Sequence, residues 1–104
     1  MFARNVTLRL QPNHLMQFIQ TYEQQVLSLL KAQKGFRGEI AIITAMGKDV
    51  VATSYWDSEE DADAYHNSGY KETLRILAGV VEPRPMIADS EVIVSTLHQL
   101  ARVL

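Results

Sequence analysis

Val50-Val51-Ala52-Thr53-Ser54-Tyr55-Trp56-Asp57-Ser58-Glu59-Glu60-Asp61-Ala62-Asp63-Ala64-Tyr65-His66 joins two kinds of local order. From Val50 to Trp56 the β-branched and aromatic side chains favour a strand. Asp57, Glu59, Glu60, Asp61 and Asp63 then supply five of the chain's 12 acids, a concentration that suits the positive end of a helix dipole. Ser58 followed by Asp61 is close to a capping box, with an aspartate shorter than the usual glutamate. The stretch therefore reads as a strand passing directly into a capped helix.

Upstream, Phe2, Arg4, Val6, Leu8 and Leu10 alternate with Ala3, Asn5, Thr7 and Arg9, which makes a half-buried strand. Gln11-Pro12-Asn13 breaks it, and Asn13 suits a helix N-cap. Leu15, Phe18, Ile19, Tyr22, Val26, Leu29 and Leu30 then recur at three and four, predicting an amphipathic helix over about residues 13 to 33 that stops at Gly35. Phe36 to Met46 reads as a strand, with Ile40, Ile42 and Thr44 opposing Ala41, Ile43 and Ala45. Gly47-Lys48-Asp49 turns it back into Val50–Trp56 as a hairpin.

Downstream, Asn67-Ser68-Gly69 interrupts the acidic helix. A second helix begins near Tyr70, with Tyr70, Thr73, Leu74 and Leu77 on its apolar stripe. Glu82-Pro83-Arg84-Pro85 is a stiff connector. Met86 to Leu97 reads as the last strand, clearest over Glu91–Ser95, and the tail from His98 to Leu104 as a helical turn.

Composition narrows the function classes. The 104 residues, 47% hydrophobic and 21% charged, predict one globular domain over residues 1–104. The chain has no cysteine, which removes disulfides, thiol catalysis and thiolate zinc sites. Its net charge of −2 with scattered basic residues gives no footprint for nucleic acid. No apolar run reaches the ~20 residues that span a bilayer. Met1-Phe2-Ala3-Arg4-Asn5 leads straight into alternation, so no secretory signal and a cytoplasmic location are expected.

The order β-α-β-β-α-(α)-β is the split βαβ arrangement, an α+β, ferredoxin-like fold with a four-stranded antiparallel sheet and helices on one face. Ile40, Ile42, Ile43, Val50 and Val51 leave apolar positions on both sides of that sheet. A homodimer packed sheet against sheet is the simplest way to cover the second face.

Particular residues carry a resemblance. They are Arg4-Asn5 in the first strand, Lys34-Gly35-Phe36-Arg37-Gly38 after the first helix, Tyr55-Trp56-Asp57-Ser58-Glu59-Glu60-Asp61-Ala62 at the junction and Ser68-Gly69-Tyr70 opening the next helix. On these the chain resembles the antibiotic-biosynthesis-monooxygenase-like family of dimeric α+β barrels. The resemblance implies a fold; for chemistry it implies a choice among cofactor-free oxygenases, haem-degrading enzymes and proteins without known activity.

The oxygenase branch implies deprotonation of a phenolic substrate and reaction of its anion with oxygen, with no metal, flavin or other cofactor. That chemistry needs a dry pocket, a proton acceptor and donors for the oxyanion. Tyr65 and His66 are the candidate catalytic residues. Adjacent on a helix, they point about 100° apart, and the apolar spacing favours Tyr65 inward. Trp56, Tyr70 and Arg75 are the candidate substrate-binding residues, Trp56 chiefly as a wall. His14 and His98 have no partner at ligand spacing, and no metal site is expected. The alternative is a non-catalytic dimeric barrel that binds a small hydrophobic ligand.

Haem degradation is a minor alternative. The resemblance places its aromatic at Tyr65, where that branch carries tryptophan, and its axial histidine near Leu74-Arg75-Ile76, which holds none. Its asparagine would be Asn5, which alternation turns away from the leucine face.

Overall fold

A computed structural model describes residues 1–97. Strand β1, Phe2–Arg9, leads into helix α1, built from the consecutive segments Leu15–Thr21, Tyr22–Val26 and Leu27–Lys31. Strands β2, Phe36–Ile43, and β3, Asp49–Trp56, form the hairpin. Helices α2, Glu59–His66, and α3, Gly69–Leu77, precede strand β4, Met86–Glu91. The strands pair antiparallel in the order β2-β3-β1-β4. This is the expected α+β, ferredoxin-like architecture.

The middle segment of α1, Tyr22–Val26, is a π-helical turn. Phe18, Tyr22, Val26 and Leu30 follow one another at intervals of four and are all buried. At 3.6 residues per turn such a row drifts by about 40° per step and would leave the sheet within three steps. The wider turn absorbs the drift and keeps the row on the core. Asn13 is not the N-cap: it takes a left-handed φ of 62°, which asparagine tolerates, and His14 occupies the cap position without a side-chain cap bond.

A second irregularity lies in β2. Phe36 pairs with Trp56 and Gly38 with Tyr55, so Arg37 is an extra residue in a β-bulge. The bulge resets the alternation. Glu39, opposite Ser54, therefore turns toward the helices, whereas counting by twos from Phe36 would turn it out.

The inward side of the sheet is layered by register. Phe2, Trp56 and Phe36 form one row, and Leu8, Val50 and Ile43 another. Trp56 is fully buried. Its ring stacks on Tyr65 at 5.4 Å and meets the edge of Phe36 at 5.5 Å, while its Nε1–H donates to Ser54 Oγ at 2.8 Å.

The strand-to-helix junction matches its sequence reading. Ser58 caps α2, its Oγ accepting from the Asp61 N–H at 3.2 Å. Gly35, at φ 78°, accepts the Asp57 N–H on its carbonyl at 2.8 Å. A Cβ on Gly35 would lie 2.1 Å from Asp61 Oδ2, so glycine serves both backbone shape and close packing there.

The last strand is shorter than predicted. Val92 N–H still reaches the Met1 carbonyl at 3.0 Å, but the β1–β4 pairing ends at Phe2 opposite Glu91. Val92–Ser95 therefore lie outside the strand despite their β-branched character. The predicted tail turn and His98 fall outside the described residues. Among the described residues no helix is long and apolar enough to cross a membrane.

The outer sheet face carries Asn5, whose amide donates to Ser90 Oγ and the Ala88 carbonyl and whose Oδ1 accepts from Thr53 Oγ1 at 2.8 Å. As alternation predicts, Asn5 points away from the helices. Ile40 and Ile42 stand exposed on the same face.

Trp56→Ala is expected to cost about 3–5 kcal/mol, the usual cost of deleting a large buried aromatic. Urea unfolding checks it, and a loss under 1 kcal/mol would show that the Phe36–Trp56–Tyr65 stack does not hold the junction.

Candidate functional site

Between the sheet and its helices lies a cavity whose floor sets Arg4, Glu39 and Ser54 among Val6, Leu8, Ala52 and Ile87. One register row places Glu39, Ser54, Arg4 and Asp89 side by side across all four strands. Arg4 lies on the leucine face of β1. Its Nε donates to Asp89 Oδ1 at 2.8 Å, and its Nη2 to Asp63 Oδ1 at 2.9 Å and Asp89 Oδ2 at 3.1 Å. Those hydrogen bonds hold Asp89 below the usual carboxylate range, with a smaller contribution from His66. Ser54 receives the Trp56 indole N–H. Glu39 accepts from the Tyr22 hydroxyl at 2.8 Å.

The roof is aromatic. Tyr22 comes from α1, Tyr65 and His66 from α2, and Tyr70 and Thr73 from α3. The Tyr65 hydroxyl shares a 2.6 Å hydrogen bond with Thr73 Oγ1. His66 stacks on Tyr70 at 4.9 Å. The Tyr70 hydroxyl is buried without a hydrogen-bond partner among the described residues, an arrangement that folded proteins rarely leave unanswered. The cavity volume is about 40 Å³, room for two or three waters at ~10–15 Å³ each.

Burial sets the protonation states. It pushes the Tyr65 phenol up to about 12, against the hydrogen bond with Thr73 and helped by the charge of Glu39. Burial likewise raises Tyr22, with Glu39 adding to the effect. It raises Tyr70 too, where Arg4 opposes it. Near neutral pH all three phenols are donors. Burial also pushes the Glu39 carboxyl up to about 7, with the Tyr22 hydrogen bond opposing it. The site thus holds one carboxyl poised near neutrality opposite three neutral phenols.

Of the residues singled out in the sequence, Tyr65, His66 and Tyr70 line the cavity together. Tyr65 is buried, and His66 is partly exposed. Trp56 lies behind Tyr65 and supports it without lining the cavity, because its ring is closed in by Phe36, Tyr65 and the sheet. Arg75 does not reach the cavity. It is an exposed side chain paired with Glu72 one turn earlier, so the structure does not bring this candidate substrate-binding residue together with the others.

Arg4, Tyr22 and Glu39 were missed. Arg4 was detectable as a charge on an apolar strand face. Glu39 was hidden by the bulge, and Tyr22 looked like one more core residue of its stripe.

Since folded Glu39 holds its proton up to about pH 7, against 4.5 for an ordinary glutamate, the native state binds more protons than the unfolded chain across that interval. Its contribution to stability is full below about 4.5 and is lost as pH rises toward 7. Relative to Glu39→Gln, the wild type is expected to lose stability over that range and to run parallel above it. Denaturant titrations across pH check the difference, and a pH-independent offset would contradict it.

A family model described as antibiotic biosynthesis monooxygenase matches residues 1–74. No curated protein matches the chain. Among solved structures, a Streptomyces coelicolor monooxygenase from the gene ActVA-Orf6, in complex with nanaomycin D, superimposes with a TM-score of 0.74 at 18% identity, covering 92% of this chain and 90% of that one. A Nitrosomonas europaea protein of unknown function gives 0.74 at 18% identity over 92% of both chains. A MhuD variant with two manganese protoporphyrin IX molecules per active site gives 0.72 at 13% identity, over 92% of this chain and 98% of that one. At these identities the structural likeness speaks for the fold. The match over residues 1–74 extends from β1 through the aromatic roof, and the chain belongs to the antibiotic biosynthesis monooxygenase family.

Proposed function

We propose that this chain is an oxygenase that acts, without a bound metal or flavin, on a small aromatic or quinol-type molecule. The observation that carries the reading is the buried, unpartnered Tyr70 hydroxyl in a cavity also lined by Tyr65, His66 and Glu39. A phenolic oxygen placed there meets donors for its anion and aromatic faces for its ring. In the reaction a phenol and O2 give a quinone and water. One oxygen atom replaces ring hydrogen, the other leaves as water, and the substrate supplies all the electrons. Tyr65 and Tyr70 steady the developing oxyanion as donors, and His66 stands on the same cavity wall as a further proton-handling group.

The family membership and the nanaomycin D ligand named for the Streptomyces coelicolor monooxygenase support this reading. A ring is larger than the cavity's 40 Å³, so binding requires lining side chains to move apart. That same small volume favours a second reading, a non-catalytic barrel that binds a small hydrophobic ligand. A reducing cytoplasm suits the cysteine-free chain. The exposed Ile40 and Ile42 beside Val51 on the outer sheet face support a homodimer.

Oxygen uptake with hydroquinones and anthrones tests the activity. Turnover is expected, with a loss of about 10²-fold or more in the Tyr65→Phe, Tyr70→Phe double variant. Saturable ligand binding with no uptake above that variant would favour the non-catalytic barrel. Light scattering at micromolar concentration is expected to give the dimer mass, and the Ile40→Lys, Ile42→Lys variant the monomer mass; a monomeric wild type would contradict the assembly.

A further inference from the structure

We infer that Glu39 is the proton acceptor of this site and that Tyr22 is the residue that positions it. The inference rests on the oxygenase reading and assigns its acid–base group. Its first support is backbone geometry. The extra residue at Arg37 in β2 turns Glu39 inward, and the π-turn that starts at Tyr22 widens α1 above it. Each irregularity gives up regular pairing, and both features are over-represented at functional sites. The two converge on one hydrogen bond, from the Tyr22 hydroxyl to Glu39 Oε1 at 2.8 Å.

The second support is position. Glu39 and Tyr22 line the central cavity and also a separate groove of about 200 Å³ between α1 and β2, walled by Phe18, Ile19, Leu27 and Ala41. The pair is therefore the shared wall between the central cavity and the groove beside it. A base needs that placement, because it accepts a proton on one side and releases it on the other. In the step, the phenolic O–H bond breaks and its electron pair stays on the phenol oxygen. The proton forms a new O–H bond at Glu39 Oε2, while Tyr22 continues to donate to Oε1.

The groups facing Glu39 are consistent with this role. Tyr22 and Glu23 face it from α1, Tyr65 from α2 and Tyr70 from α3. Arg4, two strands away in the same row, is already paired with Asp63 and Asp89. Among the described residues no cation forms an ion pair with Glu39. Its carboxyl, raised to about 7 by burial, therefore changes state in the range a general base needs.

The test is the pH profile of kcat/KM for oxygen uptake with a hydroquinone, for wild type, Glu39→Gln, Glu39→Asp and Tyr22→Phe, each checked for folding by circular dichroism. Wild type is expected to lose activity below an acid limb near pH 7. Glu39→Gln should lose about 10²–10⁴-fold and show no limb, while Glu39→Asp recovers part of the rate with the limb. Tyr22→Phe removes a hydrogen bond that favours the carboxylate, so its limb should move to higher pH, an effect that loss of packing would not produce. That displacement decides the matter if Glu39→Gln does not fold. A wild type that turns over while Glu39→Gln keeps both rate and limb overturns this assignment alone. A limb unmoved in Tyr22→Phe overturns the positioning role. A wild type that consumes no oxygen overturns the oxygenase reading and this assignment with it.

Discussion

The constraint on which this structure depends is a row of polar side chains, Glu39, Ser54, Arg4 and Asp89, crossing the face of the sheet that the helices must cover. Leaving a buried charge unpaired costs several kcal/mol, so each member of the row is answered. Arg4 meets two carboxylates, Ser54 the Trp56 indole and Glu39 the Tyr22 hydroxyl. The neighbouring row is aromatic on three strands, at Phe2, Trp56 and Phe36, with Glu91 beside Phe2 on β4, and its rings flank the polar row along one side. The helices consequently carry phenols above the sheet, where apolar side chains would otherwise complete the core.

That arrangement separates roles by environment. Tyr22, Tyr65 and Tyr70 are all raised by burial and remain donors. Glu39 is raised toward neutrality by the same cause. One physical effect thus yields three acids that hold their protons and one carboxyl able to exchange its proton near pH 7, the divergence that marks acid–base assignments. The small volume adds a second condition. A ligand larger than a few waters displaces some of the lining side chains, and its polar atoms can meet the Tyr70 hydroxyl, which has no partner among the described residues.

The fold was largely legible because its signals are local. Alternation in β1, the stripe of α1 and the Ser58 cap each appear in the structure where residue chemistry puts them, and the hairpin forms as expected although β2 ends at Ile43, before Met46, and Asp49 already belongs to β3. Asn5 pointing away from the helices followed from alternation as well. Half the site was hidden because it depends on two departures from periodicity. The bulge at Arg37 changes the parity of β2, and the π-turn changes the phase of α1; neither leaves a compositional mark beyond Gly38. Arg75 pairs with Glu72 on the helix surface, whereas its neighbour Leu74 lines the cavity; adjacency in sequence did not distinguish the two. The end of β4 was overextended because β-branched residues signal strand preference but not whether a partner strand is within reach.

Tyr65, Tyr70 and His66 give the cavity its walls and donors, yet the account turns on the state of one carboxyl. Titration of the Glu39 carboxyl carbon by 13C NMR in the intact protein measures it most directly. The account predicts a midpoint near pH 7, displaced upward in Tyr22→Phe. A midpoint in the ordinary glutamate range of about 4–5 would mean that Glu39 is solvated, and would contradict its role at the wall between cavity and groove.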